Sequence, residues 1–348
     1  MHKVLLLAGD GIGPEIMNQG KKILARFKEF LSFEEGLIGG AAIDHFGSPY
    51  PQQTSEKAMR ADAVLLGAVG GPKWDSLPLA ERPEKGLLAI RKDLGLYANL
   101  RPLDIWPPLV HFSPLKEKLL KNVSIMVIRE LTGDVYFGEP RGLTATRGWN
   151  TMVYTDNEVR RIAHMAFEIA RKRRSKVCSV DKANVLESMV LWRKIVEEVH
   201  ASYPDVELQH MYVDNAAMQL VCRPSTFDVM LTPNMFGDII SDEAAVLSGS
   251  LGLLPSACIG KDYSLYEPIH GSAPDIADRG IANPIGLILS AAMMFDFSLQ
   301  RKDLADQIKQ AVGKVLENGF RTQDIFSEGM KLVSTDEMGD RIVQALFE

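Results

Sequence analysis

The stretch Val4-Leu-Leu-Leu-Ala-Gly-Asp-Gly-Ile-Gly-Pro14 decides the fold class of this chain. Its first five residues form an apolar run of the length of a buried strand, and a glycine-rich turn follows. Pro14 suits the first turn of a helix, since that position needs no backbone donor. The stretch therefore predicts a strand, a tight turn and a helix in direct succession.

The same succession recurs along the chain. Further short apolar runs predict strands at Ala63–Gly67, Val123–Ile128, Lys176–Val180 and Val229–Leu231. Apolar residues at helical spacing predict helices over Ile16 to Phe30, Glu158 to Arg173, Val185 to Val199, Pro284 to Phe295 and Leu304 to Glu317. Strands that alternate with helices are typical of an α/β fold with much parallel sheet.

The opening turn is only a partial match to a dinucleotide fingerprint. Gly11 and Gly13 fit its first two glycines, but the third position is Ile16 rather than Gly or Ala. We therefore do not expect a Rossmann nucleotide site at this turn.

Length and composition indicate a globular enzyme of about two domains. The chain has 348 residues, of which 46% are hydrophobic and 24% are charged. No shift in composition marks a boundary, so the chain is expected to leave one domain and return to it. A net charge of −6 argues against nucleic acid as a partner. The basic run Arg171–Arg174 ends a predicted helix, where cations suit the helix dipole.

Cysteine use and hydropathy indicate a cytoplasmic protein. Cys178, Cys222 and Cys258 are far apart in sequence, which supports neither a disulfide framework nor a zinc site. The longest apolar stretch, Ile285 to Phe295, is shorter than a membrane span. We expect no membrane association.

Two acidic residues stand four apart in Asn234-Met-Phe-Gly-Asp-Ile-Ile-Ser-Asp-Glu243. A helix places Asp238 and Asp242 on one face, where their charges repel unless a cation neutralises them. Asp214 ends an alternating, strand-like segment and is a third candidate ligand. Carboxylates without nearby His or Cys favour Mg²⁺ or Mn²⁺. The alternative is a solvated acidic helix face.

Three arginines form a second candidate set: Arg91, Arg101 and Arg129. Arg129 directly follows an apolar strand, a position that solubility does not require. Guanidinium groups bind carboxylates bidentately, so three of them beside a metal would suit a small hydroxy di-acid. Ordinary ion-paired arginines are the alternative reading.

Tyr136 and Lys182 are candidate proton-transfer residues, each just past a predicted strand. A lysine near a divalent cation is easier to deprotonate, and a tyrosine can act as the paired acid. The alternative is a packing or surface role, which is the commoner one for a tyrosine or a lysine read without context. Glu84, Leu87 and Leu88 lie about one helical turn before Arg91, so two leucines could form an apolar pocket beside it. Core packing is the alternative for both leucines.

At this point the motifs resemble those of the isocitrate and isopropylmalate dehydrogenase family, and the match runs almost end to end. The motifs are Ala8-Gly-Asp-Gly-Ile-Gly-Pro-Glu15, Gly70-Gly-Pro-Lys-Trp74, Tyr97-Ala-Asn-Leu-Arg-Pro102, Arg129-Glu-Leu-Thr-Gly133, Tyr136-Phe-Gly-Glu-Pro140, Asp181-Lys-Ala-Asn184, the Asn234–Glu243 stretch and Glu267-Pro-Ile-His-Gly-Ser-Ala-Pro-Asp-Ile276.

The resemblance implies two open α/β domains around a cleft, with no Rossmann nucleotide site. The first would comprise residues 1–96 and 249–348 and carry the NAD-binding loops, and the second residues 97–248. The arginine set would hold the malate carboxylates, and Asp214, Asp238 and Asp242 would hold Mg²⁺ or Mn²⁺. Lys182 and Asp214 would reach the site from the partner in a homodimer, and a segment near Trp149, Met152 and Tyr154 would form an arm that crosses between subunits.

The resemblance also implies where NAD binds. The implied cofactor residues are Gly71, Glu84, His270, Gly271, Ser272, Ala273, Asp275, Ile276 and Asn283. Asp275 favours NAD over NADP, because a carboxylate accepts ribose hydroxyls and repels a 2′-phosphate.

The implied activity is oxidative decarboxylation of (2R,3S)-3-isopropylmalate to 2-oxoisocaproate and CO₂ in leucine biosynthesis. Lys182 would take the hydroxyl proton and Tyr136 would protonate C3. Leu87 and Leu88 would accept the isopropyl group, whereas isocitrate enzymes place polar residues there. The alternatives are a related enzyme acting on D-malate, tartrate or homoisocitrate, and a metal-dependent di-acid binding protein without catalysis.

Overall fold

The computed structural model describes residues 1–347 and confirms the alternation of strands and helices. The strands are β1 (His2–Gly9), β2 (Leu31–Gly36), β3 (Ala63–Ala68), β4 (Ala98–Asp104), β5 (Ser124–Glu130), β6 (Gly142–Leu143), β7 (Gly148–Trp149), β8 (Lys176–Asp181), β9 (Glu207–Tyr212), β10 (Val229–Thr232), β11 (Pro255–Ile259), β12 (Ser264–Pro268), β13 (Phe320–Arg321) and β14 (Lys331–Leu332).

The helices follow the same chain order. They are α1 (Gly13–Leu24), α2 (Gly39–Phe46), α3 (Gln52–Ala58), α4 (Glu84–Asp93), α5 (Glu117–Leu120), α6 (Asp156–Arg171), α7 (Glu187–His200), α8 (Val213–Cys222), α9 (Asn234–Val246), α10 (Ile285–Phe297), α11 (Lys302–Glu317) and α12 (Thr335–Ala345).

The chain divides into two compact units. Unit 1 contains Met1–Leu96, Trp106–Phe112 and the chain from Gly249 onward, and unit 2 contains Tyr97–Ile105 and Ser113–Ser248. The segment Trp106–Phe112 packs with unit 1, although it lies inside the range 97–248 predicted for the second domain. One reason is Arg321, whose guanidinium donates to the Pro108 carbonyl oxygen at 3.3 Å.

Each unit has its own run of five paired strands. In unit 1 the order is β2-β1-β3-β12-β11, and only β11 runs antiparallel to its neighbour. In unit 2 the order is β4-β5-β10-β8-β9, and only β4 is antiparallel. The parallel strands of a unit end at one edge, which is where α/β proteins position functional side chains.

Buried apolar runs explain the central strands. Every residue of β3 and β10 is buried, as expected of strands covered by helices on both faces. Helix α10 is buried over Ile285–Phe295, the longest apolar stretch of the sequence.

The predicted first helix is too long at its end. Helix α1 stops at Leu24, a 3₁₀ turn covers Ala25–Phe27, and the chain enters β2 at Leu31. The aromatic side chains that extended the periodic pattern still pack inside, with the Phe27 ring 4.9 Å from that of Phe295.

The glycine-rich turn after β1 holds backbone against backbone. Gly11 has a φ of +58°, and a Cβ placed on it would lie 2.1 Å from the Ser272 carbonyl oxygen. The next residue, Ile12, donates its N–H to that same oxygen at 2.8 Å. This close approach accounts for glycines at a turn that fails the dinucleotide pattern.

The basic run after α6 is engaged in ion pairs. Arg171 contacts Asp205 at 2.6 Å and Arg173 contacts the buried Asp228 at 2.9 Å. Lys176 pairs with Glu207 at 2.7 Å. These cations therefore have acidic partners inside unit 2.

Within residues 1–347, no helix combines the length and the apolar character that a membrane crossing requires.

Candidate active site

The two aspartates of the Asn234–Glu243 stretch lie on α9, as predicted. Strand β10 leads directly into this helix. Its parallel neighbour β5 carries Arg129, which is paired in register with Thr232 at the end of β10. Strand β4 runs antiparallel to β5 and carries Arg101. The sheet register thus brings two arginines to the helix that carries Asp238 and Asp242.

Both arginines bind the acidic face of α9. Arg129 donates to Asp238 through Nη1 and to the Asn234 side chain through Nε at 3.0 Å. Arg101 donates to Ser241 at 2.7 Å and to Asp242 at 3.0 Å. Both guanidinium groups are largely buried, so their pairing with carboxylates offsets the repulsion between the two aspartates.

Tyr136 joins the same group. Its hydroxyl donates to Asp238 at 3.0 Å, and its ring faces the Arg129 guanidinium at 5.9 Å. Burial, and then the charge of Asp238, raises the pKa of the Tyr136 hydroxyl. The group therefore keeps its proton at neutral pH, as a proton donor must.

Lys182 and Asp214 form a separate pair in unit 2. Lys182 follows β8 and Asp214 lies in the first turn of α8, just past the end of β9 at Tyr212. Their side chains are 2.6 Å apart, and the carboxylate of Asp214 is 68% exposed. The hydrogen bond from Lys182 holds the pKa of Asp214 below its usual value.

The donor chemistry at α9 fits a hard divalent cation. Asp238 and Asp242 offer only oxygen ligands, and Mg²⁺ commonly takes one or two carboxylates and completes its shell with other oxygens. Among residues 1–347, no group of three His, Cys, Asp or Glu side chains is arranged to hold a metal. In the single chain, the third predicted ligand, Asp214, pairs with Lys182 instead.

Helix α4 carries the fourth group of predicted residues. Arg91 lies in its last turn and donates to Glu267 at 2.6 Å. Leu87 is half-buried and Leu88 is 39% exposed, so core packing does not account for Leu88. Glu84 is the first residue of the helix. Its carboxylate lies close to Gly70, since a Cβ added to Gly70 would stand 2.7 Å from it.

The predicted NAD loop of unit 1 begins after β12. Ser272 is buried and accepts the Ile12 N–H, whereas Gly271 and Asp275 are exposed and Ala273 and Ile276 are half-buried. Burial lowers the pKa of His270, whose Nδ1 lies 2.9 Å from the Gly271 carbonyl oxygen. The loop thus presents a neutral imidazole and an exposed carboxylate.

Side chains fix the end of this loop. Asn283 is buried, donates to Asp324 at 3.0 Å and accepts the Ile285 N–H at 3.0 Å. Glu15 accepts the Gly280 N–H at 3.1 Å. Gly71 follows Gly70, whose N–H donates to the buried carboxylate of Asp10 at 2.8 Å. Both predicted NAD segments are therefore anchored within unit 1.

Sequence reasoning missed several residues that organise the site. Asn234 and Ser241 receive the arginines of unit 2, and Glu267 receives Arg91. A signal for the first two was present, because positions 234, 238 and 241 recur at helical spacing and share the face of the helix that carries Asp238. Nothing in the sequence pairs Glu267 with Arg91, since they are 176 positions apart.

Comparison with known proteins gives a family and close relatives. The family described as "Isocitrate/isopropylmalate dehydrogenase" matches residues 3–342. The chain is 57% identical to the 3-isopropylmalate dehydrogenase of Aquifex aeolicus over 99% of this chain and 97% of that protein. It is 58% identical to the enzyme of the same name from Saccharophagus degradans over 98% of both chains.

Comparison with solved structures supports the same family. The crystal structure of isocitrate dehydrogenase from Methylococcus capsulatus superposes with a TM-score of 0.88 at 33% identity and covers 100% of both chains. A family match over nearly the whole length, with relatives above half identity, shows that this chain belongs to the isocitrate/isopropylmalate dehydrogenase family.

Proposed function

We propose that this chain catalyses the NAD-dependent oxidative decarboxylation of (2R,3S)-3-isopropylmalate to 2-oxoisocaproate and CO₂, a step of leucine biosynthesis. The observation that carries the proposal is the group formed by Arg101, Arg129, Asp238 and Tyr136 in unit 2. It combines two carboxylate-binding guanidinium groups, an acidic helix face and a protonated hydroxyl in direct contact.

The leucines of α4 support isopropylmalate over more polar substrates. Leu88 is exposed on the same helix as Arg91, whose guanidinium would bind a malate carboxylate. Burial of an isopropyl group against leucine stabilises binding by about 1.5–3 kcal/mol. The malate, tartrate and homoisocitrate alternatives would gain nothing comparable from this surface.

The bound groups would supply two parts of the chemistry. A divalent cation held by Asp238 and Asp242 would stabilise negative charge on the C2 oxygen, and NAD would accept the hydride. The chain's own residues do the rest. Arg91, Arg101 and Arg129 would bind the two carboxylates and fix the orientation of C2. Lys182 would accept the hydroxyl proton in its neutral amine form, which a nearby divalent cation favours.

Tyr136 acts in the final step. After CO₂ leaves, C3 must gain a proton from a group that was still protonated at neutral pH. A tyrosine hydroxyl meets that requirement, and its contact with Asp238 holds the hydroxyl at the acidic helix face. Tyr136 therefore donates a proton to C3.

The NAD site is proposed at the loop from His270 to Asn283, with Gly71 and Glu84 as further contacts. The exposed carboxylate of Asp275 would accept the adenosine ribose hydroxyls. A 2′-phosphate would meet the same negative charge, so NAD is favoured over NADP.

A homodimer with shared sites is the second part of the proposal. Helices α8 and α9 expose apolar side chains, among them Met218 (54%), Val221 (44%), Ile239 (61%) and Val246 (52%). Such a surface, beside the exposed Asp214, suits a second copy of the chain. Lys182 and Asp214 of that copy would complete the metal and proton-transfer set, and the exposed hairpin of β6 and β7 would serve as the crossing arm.

The two units correspond in this proposal to an NAD-binding domain and a metal-binding domain, with the division at residues 96/97 and 248/249 expected from the sequence. A biosynthetic role also accords with a cytoplasmic location.

The test is the rate of NADH formation with 3-isopropylmalate against isocitrate, D-malate, tartrate and homoisocitrate, with and without Mg²⁺ or Mn²⁺. We expect the highest kcat/KM with isopropylmalate, no turnover without the cation and a preference for NAD over NADP. A higher kcat/KM on any other di-acid would reassign the substrate. No NADH with any di-acid in the presence of the cation would favour a binding protein.

A further inference from the structure

Asp134 occupies a conformation that needs an explanation. It lies in the turn between β5 and Tyr136, has no exposed surface, and adopts a φ of +78°. Residues other than glycine are uncommon in this left-handed region. A buried carboxylate in a disfavoured backbone conformation persists only where the surrounding contacts hold it.

The backbone of Asp134 closes the turn that carries Tyr136. Its carbonyl oxygen accepts the N–H of Phe137 at 3.3 Å and of Gly138 at 3.0 Å, the residues that directly follow Tyr136. Its own N–H donates to the Val153 carbonyl oxygen at 3.0 Å. The position of the Tyr136 main chain is therefore set from Asp134.

The carboxylate of Asp134 binds the start of α9. Its Oδ2 accepts the Met235 N–H at 3.1 Å and the Tyr154 hydroxyl at 3.1 Å. That hydroxyl in turn accepts the Asn234 N–H at 2.7 Å. The backbone N–H groups of Asn234 and Met235, in the first turn of α9, are thus held by Tyr154 and Asp134. Asp238 lies within about one turn of Met235, so these contacts also fix the part of the helix that carries it.

From these contacts we propose that Asp134 is a positioning residue that fixes the Tyr136 hydroxyl against Asp238. The turn with Tyr136 and the helix with Asp238 come from distant parts of the sequence, and Asp134 contacts both. The inference rests on the proposed function for the role of Tyr136 as proton donor. The distance between the Tyr136 hydroxyl and the Asp238 carboxylate can be measured without assuming that function.

Three variants separate positioning from charge and from general stability. Asp134→Gly removes the carboxylate but accepts the positive φ without strain, so the turn can still form. Asp134→Asn also tolerates this region and keeps one oxygen, which can accept from Met235 and Tyr154 while the bond from the Val135 N–H to the second carboxylate oxygen is lost. Asp228→Asn is the matched control, because Asp228 is equally buried in unit 2 and accepts the Arg174 N–H at 2.9 Å.

The first readout is crystallographic and needs no activity. In the wild-type protein the Tyr136 hydroxyl lies 3.0 Å from Asp238. We expect this distance to increase by about 1 Å or more in Asp134→Gly, a shift of the size that disrupts catalytic geometry. It should stay unchanged in Asp134→Asn and Asp228→Asn. An unchanged distance in Asp134→Gly overturns the proposal, whatever the activity of the wild type.

The second readout is pre-steady-state NADH formation with isopropylmalate. Because Tyr136 acts after hydride transfer, Asp134→Gly should give a full burst of NADH followed by a steady-state rate reduced about 10²-fold. The KM for isopropylmalate should change little, and Asp134→Asn should restore most of the rate.

A burst reduced in proportion to the steady-state rate would indicate a loss of folded enzyme and contradict positioning. Wild-type protein without turnover on isopropylmalate would instead refute the proposed function, and the crystallographic comparison would still decide the role of Asp134.

Discussion

The acidic face of α9 in unit 2 and the loop after β12 in unit 1 are built in opposite ways. At α9 the functional groups are charged side chains that bind each other: Arg129 with Asp238, and Arg101 with Asp242. In unit 1 the first part of the loop is shaped by backbone contacts, such as the Ser272 carbonyl oxygen against Gly11 and Ile12.

Because of this difference, α9 should be sensitive to the loss of a charged side chain, and the loop after β12 to changes in its backbone contacts. Removing a charge at α9 takes a carboxylate partner from a largely buried arginine and removes a group that would act on the substrate. At the start of the loop the position of the backbone depends on Gly11, because a Cβ added there would lie 2.1 Å from the Ser272 carbonyl oxygen and would move the loop. We therefore expect charge variants of unit 2 to lower kcat, and backbone variants of unit 1 to raise the KM for NAD.

The largest effect is expected from Asp238→Asn. It removes the carboxylate that contacts Arg129 and Tyr136 and a proposed metal ligand, and metal stabilisation supplies several kcal/mol. We expect kcat/KM to fall by more than about 10⁴-fold, with calorimetry showing weaker Mn²⁺ binding. The control Asp205→Asn removes an exposed carboxylate of unit 2 that pairs with Arg171, and should leave both measurements unchanged. Unaltered Mn²⁺ affinity in Asp238→Asn would remove Asp238 from the ligand set.

Tyr136→Phe should have the next largest effect. It leaves the ring against Arg129 but removes the proton that C3 requires, so decarboxylation or product release is slowed after oxidation. We expect a normal first turnover of NADH and a steady-state rate lower by about 10²-fold or more. Rapid mixing with isopropylmalate measures both phases. Unchanged steady-state turnover would exclude Tyr136 as the acid.

Leu88→Ser should alter the choice of substrate. The exposed leucine would lose its contact with the isopropyl group, which is worth about 1.5–3 kcal/mol. We expect kcat/KM for isopropylmalate to fall by about 10–100-fold, while the value for D-malate stays nearly constant. An equal loss on both substrates would place Leu88 outside the substrate pocket.

The smallest effect is expected from Gly11→Ala, which tests the backbone side of the comparison. The added Cβ would lie 2.1 Å from the Ser272 carbonyl oxygen and push the NAD loop away. We expect KM for NAD to rise by about tenfold, which is roughly 1.4 kcal/mol, with kcat nearly unchanged.

The matched control for this change is Gly95→Ala. Gly95 has a φ of +59°, close to that of Gly11, but nothing lies within 4 Å of its added Cβ. Both variants should lose about 1–2 kcal/mol of stability from the left-handed backbone, so thermal unfolding tests the shared strain. If both variants raise KM for NAD equally, contact with Ser272 is not what shapes the loop.

The sequence predicted what local periodicity controls. The strand runs at Ala63–Gly67 and Val229–Leu231 are confirmed, and Asp238 and Asp242 share a helix because their spacing requires it. Family motifs extended the prediction to Tyr136, Lys182 and the loop after β12. The roles of these residues remain predictions.

Features set by distant contacts could not be predicted. Which acceptor Arg101 takes depends on the register of β4 against β5 and on side-chain rotamers, neither of which leaves a local pattern. Helix α1 ends early because β2 must begin at Leu31, a tertiary requirement that outweighs the helical spacing. Asp134 gave no signal either, since its partners Tyr154 and Met235 lie 20 and 101 positions away.

The central claim is that the α9 carboxylates and the Lys182–Asp214 pair complete one site only across two copies of the chain. Coexpression of Asp238→Asn with Asp214→Asn, each inactive alone, tests it most directly. If the site is shared, each mixed dimer contains one intact site, and random pairing should restore about a quarter of wild-type activity. If both residues serve the same chain's site, no intact site can form, and the mixture will remain as inactive as either variant alone.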